Sequence, residues 1–217
     1  MAANMTETAS PPLTRSERKR RTILAAGRQL FLTNGYQGTS MDQVAAQAAV
    51  SKQTVYKHFG EKRELLFTIV TDALEGSVAS IRDRIATLPA STDLEADLVA
   101  LAEDYLRAVL QEPVVQLRRL VIGEANRLPE LADLYYQRAP VRTLAALAES
   151  FEELTGRGLL HVTDSTSAAD HFAFLIVGRA IDQALFHGGQ RVLESMDVKN
   201  YVRAGVNVFL AGYRRST

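Results

Sequence analysis

Two short apolar stripes, each headed by a residue able to cap a helix, follow one another between Thr39 and Phe59 and constrain this chain more than any other feature. Met41, Val44, Ala45 and Ala48 fall at i, i+3, i+4 and i+7, the spacing of one buried helix face. Ser40, with Gln43 three residues on, has the makings of a capping box. After Ala49-Val50-Ser51 a second helix can start on Ser51 as N-cap, burying Val55 and Phe59 and turning Gln53 and Lys57 the opposite way, with Thr54 and Tyr56 flanking. The pair is a helix-turn-helix with a polar outer face.

That face has the chemistry to read DNA. A helix fits the major groove of B-DNA, where base edges are met by groups that donate and accept; Gln53, Thr54 and His58 can do both, and Lys52 and Lys57 add cations for phosphate or guanine. The same residues would also suit the solvated side of an ordinary helical hairpin. Charge favours the first reading. Residues 1–64 carry ten Lys and Arg against five acids, so a formal net charge of zero hides a basic head on an acidic body.

The rest of the chain shows helical periodicity. Residues 1–15, polar and small with Pro11-Pro12, read as a disordered arm, followed by Arg15, Arg18, Lys19, Arg20 and Arg21, which could touch phosphate or simply open a solvated helix. A first helix from about Ser16 buries Ile23, Ala26, Leu30 and Phe31 and ends at Asn34-Gly35. A fourth opens between Glu61 and Leu66 and runs almost to Pro89, linking the head to the next domain. Leu94, Leu98, Leu101, Tyr105 and Val109 stripe another; Pro113 suits the first position of the next, with Leu117, Leu120 and Val121 buried. Pro129 and Pro140 should break the chain into a short helix around Leu131–Gln137 and a longer one from Val141 to about Leu154. Ser165 or Thr166 can cap a helix to Phe186, and a last one spans roughly Val198 to Tyr213. With 47% hydrophobic residues the chain can bury a core, and the absence of cysteine rules out disulfides and thiolate chemistry. The apolar runs fall short of a membrane span, and no apolar leader segment follows the N-terminus, so a soluble, cytoplasmic protein without membrane contact is expected.

The run from Arg20 to Leu66, with F-x-x-x-G-Y-x-G-T-S, then V-A-x-x-A-x-V-S-K-x-T-V-Y-x-H-F, then K-R-E-L-L, resembles the DNA-binding domain of the TetR (tetracycline-repressor-like) family of bacterial transcription regulators. Arg118 to Leu131, R-R-L-V-I-G-E-A-N-R-L-P-E-L, is similar to the ligand domain of its AefR-like branch. One departure is Ala49, where such sequences carry Gly in the turn; a positive φ there would store about 1 kcal/mol. The resemblance implies an all-α fold: a three-helix DNA-binding head, residues 16–64, joined by a long helix to a larger helical ligand-binding and dimerisation domain, residues 65–217. It implies a repressor that binds a palindromic double-stranded operator as a homodimer and is released by a small, largely hydrophobic inducer. Tyr56, Lys62 and Thr39 become phosphate contacts and Gln53, Thr54 and Lys57 base readers, with Ser40, Ser51, Lys52 and His58 in the same interface. The dimer seam is expected on Val141–Leu154 and Ala168–Phe186, the latter apolar nearly all round, with Gly178 allowing close approach.

In the second domain Tyr105, Leu120, Val121, Phe151, Phe172 and Leu175 offer an apolar lining for the inducer, with Glu124, His171 and Arg179 as polar groups to orient it. An Arg179–Asp182 pair with a satisfied His171 would be an equally ordinary use of those residues. His161, Asp164 and His171 straddle a loop without metal-ligand spacing, and no phosphate-binding glycine loop, nucleophile elbow or dinucleotide fingerprint occurs, so no cofactor, metal or enzyme activity is expected. The rival class is a helical module that contacts protein and reads no DNA sequence; salt-dependent binding to a specific duplex separates the two.

Overall fold

The computed structural model describes residues 14–214 and consists of helices, a single isolated bridge between Leu160 and Arg214 being the only β pairing among them. The chain divides into two compact units between Ile69 and Val70, inside the fourth helix. Of the expected arm, residues 1–13 lie outside the described residues. Thr14 and Arg15 are already the N-cap and first residue of α1 (Arg15–Asn34), because Thr14 and Glu17 close a capping box.

In the first unit α1 buries Ile23, Ala26 and Phe31 against α2 (Met41–Gln47) and α3 (Lys52–Phe59). Ser40 caps α2 through the expected box, its backbone N–H donating to Gln43 Oε1 at 2.8 Å and its hydroxyl accepting from Gln43 N–H at 3.2 Å. Ser51 caps α3 by accepting from Thr54 N–H. Between them the chain reverses at Ala49, φ 52°, the only non-glycine residue at positive φ among those described. The N–H groups of Ala49 and Val50 donate to the carbonyls of Ala46 and Ala45 respectively. That pair of bonds is a Schellman closure with alanine where glycine is usual. The first turns of α4 (Lys62–Thr87) add Leu65, Leu66 and Ile69 to this core.

The second unit takes in the rest of α4, α5 (Leu94–Val109), α6 (Glu112–Glu124), α7 (Pro129–Tyr136), α8 (Arg142–Gly156), α9 (Ser165–Ala173), α10 (Arg179–His187), α11 (Gly189–Ser195) and α12 (Val198–Tyr213). Its centre is a ring cluster in which Phe151, Phe172 and Phe209 meet pairwise at centroid distances of 5.0 to 5.7 Å. The Ser150 hydroxyl donates to the Ile85 carbonyl at 3.0 Å, fastening α8 to the last turn of α4.

Pro140 does not break the chain. α7 runs into α8 through a π-helical turn, Gln137–Val141, that contains the proline. The wider turn moves the preceding carbonyls off the pyrrolidine ring and tolerates the missing N–H, and the Thr143 hydroxyl donates to Ala139 O at 3.0 Å beside it. A second π turn, Phe174–Gly178, carries α9 into α10. α9 is capped by Asp164, whose carboxylate accepts from both the backbone and the hydroxyl of Ser167, rather than by Ser165 or Thr166. The short α11 went unanticipated: Gly188-Gly189 reads as a helix end, yet Gly189 starts a new helix, its N–H donating to Glu112 Oε2 at 2.9 Å. A Cβ on Gly189 would come within 1.8 Å of the Leu110 carbonyl oxygen, so only glycine fits.

The strain at Ala49 makes a prediction. Ala49→Gly should stabilise the first unit by about 0.5–1 kcal/mol, the relief of a left-handed alanine less the extra unfolded-state entropy of glycine. Slower hydrogen exchange at the amides of α2 and α3 would show it; unchanged or faster exchange would mean the turn carries no strain.

Candidate nucleic-acid interface and effector cavity

An eight-residue helix sits still only when its neighbours hold it. Val55 is fully buried and Phe59 nearly so, and these two anchors turn Lys52, Gln53, Tyr56 and Lys57 to solvent. Thr54 and His58 are half-buried at the edges. Gln53 and Lys57 make no hydrogen bond or ion pair among the described residues, which leaves both free to meet a partner.

Six of the other expected contacts are already engaged within the head, while Tyr56 stays exposed and the His58 ring lies beside Phe59. Lys52 Nζ lies 2.8 Å from Asp42 Oδ1, an ion pair from α3 back to α2. The Ser51 and Thr54 hydroxyls are 2.8 Å apart, and the Ser40 hydroxyl is shared with Gln43. Thr39 is 2% exposed, and its hydroxyl donates to Gly35 O at 2.9 Å. Lys62 donates to the carbonyls of Tyr36 and Thr39, both at 2.9 Å, with its ammonium 4.2 Å from the Tyr36 ring centroid. Thr39 and Lys62 therefore hold the loop between α1 and α2 in place. A shallow recess of the head has Arg15, Arg18 and Lys19 flanking Ala48, Ala49 and Val50, the helix-turn-helix turn itself. Three of the five basic residues of the run seen in the sequence thus lie beside the turn, while Arg20 sits over the Phe59 ring.

The second unit contains a cavity of about 640 Å³. Leu74, Val78 and Ile81 of α4 form one wall, with Tyr105 and Val109 of α5, Arg118, Val121 and Ile122 of α6, and Ile181 and Leu185 of α10. Both π turns open onto it, through Ala139 and Pro140 and through Phe174, Val177 and Gly178. Ile122, Tyr136 and Phe174, 57%, 57% and 71% exposed, belong to the lining and give it an apolar rim.

Of the nine residues expected there, Tyr105 and Val121 are on the wall. Phe151 and Phe172 are buried in the ring cluster, and Leu120 is half-buried off the wall. Glu124 is 8% exposed, its Oε2 without a hydrogen bond and 3.6 Å from Arg127 Nη1, also off the wall. His171, Leu175 and Arg179 look outward; His171 Nδ1 lies 2.6 Å from the Tyr213 hydroxyl, and Arg179 forms no ion pair with the equally exposed Asp182. The adjacent face, Phe174, Gly178, Ile181 and Leu185, meets the cavity instead. Both faces carry apolar residues, so periodicity could not choose between them.

Arg118 and Tyr135 were missed. The available signal was a lone arginine on an otherwise apolar spacing, Val114, Arg118, Val121, Ile122 and Ala125, all of which line the cavity. Burial pushes the Tyr105 phenol up to about 12, with the neighbouring Arg118 pulling the other way. Arg119, one residue on, turns to the fold itself, where its Nε and Nη2 donate to the carbonyls of Leu185 and Ala184 at 2.9 and 2.8 Å, closing the last turn of α10. Among the described residues no group of three or more His, Cys, Asp or Glu could hold a metal ion, and no helix is long and apolar enough to cross a membrane.

A basic head with a free reading face, and a helical unit enclosing a cavity, together define a class of DNA-binding regulator. Residues 23–69 match the model described as "Bacterial regulatory proteins, tetR family", and residues 96–215 match "AefR-like transcriptional repressor, C-terminal domain". The chain belongs to the tetR family of bacterial transcriptional regulators, with a C-terminal domain of the AefR-like kind. A TetR-family transcriptional regulator from Mesorhizobium loti is similar in structure, with a TM-score of 0.84 and 35% identity over 94% of this chain and all of that one. The "Flavonoid-responsive Regulator FrrA" follows at a TM-score of 0.73 and 28% identity, over 92% and 99% of the two chains. The transcriptional activator FasR of Mycolicibacterium smegmatis is 32% identical over 93 residues, 43% of this chain and 41% of FasR, so this match spans less than half of that relative.

Two substitutions separate holding from reading. Lys62→Ala removes two charge-assisted bonds and should cost the head about 1–3 kcal/mol, seen as faster hydrogen exchange in the Gly35–Thr39 loop. Asp42→Ala frees Lys52 for phosphate and should steepen the salt dependence of DNA binding by up to about one unit of log–log slope in polarisation titrations.

Proposed function

We propose that the protein is a cytoplasmic repressor that binds a near-palindromic operator as a homodimer and releases it when a small, largely hydrophobic molecule fills the cavity of the second unit. The observation that carries this reading is one chain holding both parts: Gln53, Tyr56 and Lys57 presented outward on buried anchors, and an apolar cavity within the size range of small-molecule sites. α4 supplies Leu74, Val78 and Ile81 to that cavity, and its first residue is Lys62, which braces the loop ahead of α2. A guest that favours the DNA-free form weakens operator binding by its differential affinity, typically ~1–3 kcal/mol, and operator weakens the guest by the same factor. The description of FrrA as flavonoid-responsive supports a ligand-controlled reading. The description of FasR as an activator makes activation the second reading, which a reporter gene behind the selected operator decides.

One reading helix meets too few bases to be selective alone, which is the case for a dimer. The seam is expected on Val141–Leu154 and Ala168–Phe186, and the two helices differ in what they expose. The exposed positions of α8 are mostly charged, Arg142, Glu149, Glu152 and Glu153 beside Ala145, and acids brought face to face across a two-fold would lose hydration. Exposed apolar surface lies instead on the α9–α10 run, at Leu175 and Phe186, 36% and 76% exposed, and on α12 at Val208, 60% exposed. We place the seam there. Phe174 lines the cavity, so Phe174→Asp would report on the pocket more than on the seam.

Sequencing DNA selected from a random pool by the purified protein should return an inverted repeat, and Lys57→Ala should lose about 1–3 kcal/mol of discrimination between sequences. A protein that retains no sequence, or a mutant that discriminates like the parent, would refute the reading. Val208→Asp should halve the mass in light scattering with helix content unchanged; a folded dimer would move the seam elsewhere.

A further inference from the structure

We infer that the guest of the cavity is an organic acid, one anionic group seated against Arg118 on an otherwise apolar body. The inference rests on reading this cavity as the effector site and narrows its chemistry. Arg118 is half-buried in the wall, and no carboxylate pairs with it among the described residues. Its Nε donates to the Tyr135 hydroxyl at 3.1 Å, and its guanidinium carbon lies 5.8 Å from the centroid of that ring. A guanidinium has five N–H donors and cannot shed its charge, so one neutral oxygen leaves most of it unanswered. Of the other arginines of this unit, Arg84, Arg107, Arg127, Arg138 and Arg214 each face an acid and Arg119 has its two carbonyls, while Arg142 and Arg179 stand exposed outside the cavity.

Tyr105 adds a second donor. Its hydroxyl makes no hydrogen bond among the described residues, and burial, pushing its pKa up to about 12, keeps it protonated, so it offers a proton to an anion without repelling it. Asp133, the carboxylate on the wall, is solvent-exposed. Leu74, Val78, Val109, Phe174 and Ile181 supply the apolar remainder. A cation half-removed from water costs free energy until a counter-charge arrives, which gives an acid an advantage that a neutral molecule of the same shape lacks.

The test uses the full chain and a matched pair of dyes. 8-Anilinonaphthalene-1-sulfonate and N-phenyl-1-naphthylamine share one body and differ in the sulfonate. Fluorescence titration should give the sulfonate an affinity about tenfold or more above the neutral dye, the size of one charge-assisted hydrogen bond. Arg118→Met should abolish that preference by weakening the sulfonate alone, and Arg118→Lys should restore much of it. 2-Naphthoate should displace the sulfonate dye better than 2-naphthalenemethanol does. Val78→Trp, checked for retained helix content, should exclude both dyes. A neutral dye that binds as well as the anion, or a preference that survives Arg118→Met, overturns the proposal, and so does dye binding that survives Val78→Trp. Operator release is scored separately. An acid that binds at Arg118 and leaves operator affinity unchanged supports this chemistry while sinking the regulatory role.

Discussion

A helix of eight residues has no stability of its own in water, so everything the head can read depends on the burial of Val55 and Phe59 beneath α3. Those two contacts fix the rotation of the helix about its axis, and the rotation decides which side chains face outward. The cap at Ser51 sets where the helix begins, and the closure at Ala49 sets the angle at which it leaves α2. Lys62 extends the same logic, because its ammonium gathers two carbonyls of the Tyr36–Thr39 loop and so fixes the start of α2. Much of the polar chemistry of this small unit goes into placing two free side chains, Gln53 and Lys57.

The second unit divides its labour between neighbouring residues. Arg118 and Arg119 are a helical step of about 100° apart, enough to send one to the cavity wall and the other to the carbonyls that end α10. One is a fastener whose donors find partners inside the fold; the other keeps most of its donors open. The ring cluster of Phe151, Phe172 and Phe209 supplies the rigid packing, while the cavity lies among helices whose rim residues remain apolar and exposed.

The head was legible in the sequence because its signals are local: capping residues three apart from their partners, apolar stripes of two turns, and glycines or their substitute at reversals. The strained Ala49 was visible for that reason. The loop bonds of Thr39 and Lys62 were not, since a resemblance carries over a residue type without the carbonyls it happens to meet. In the second unit the helices were legible and their faces were not. Phe172 and Phe174 are two residues apart and equally apolar, yet one is in the core and the other on the cavity rim. Only packing separates them. Pro140 misled because proline was weighed against the α-helix alone, and the chain answered with a wider turn.

The two π turns have a consequence for how such a chain can change in length. Each is a place where a turn holds an extra residue, so losing one from Gln137–Val141 would leave a continuous helix with no broken ends. Because the wide turn absorbs that residue locally, the helix downstream would keep its phase, and Leu147, Phe151 and Leu154 would still face the core that encloses them. What the deletion would remove is the room given to Pro140, whose ring would then meet the carbonyl four residues back. The extra residue is what lets this fold carry a proline between two helices without a break.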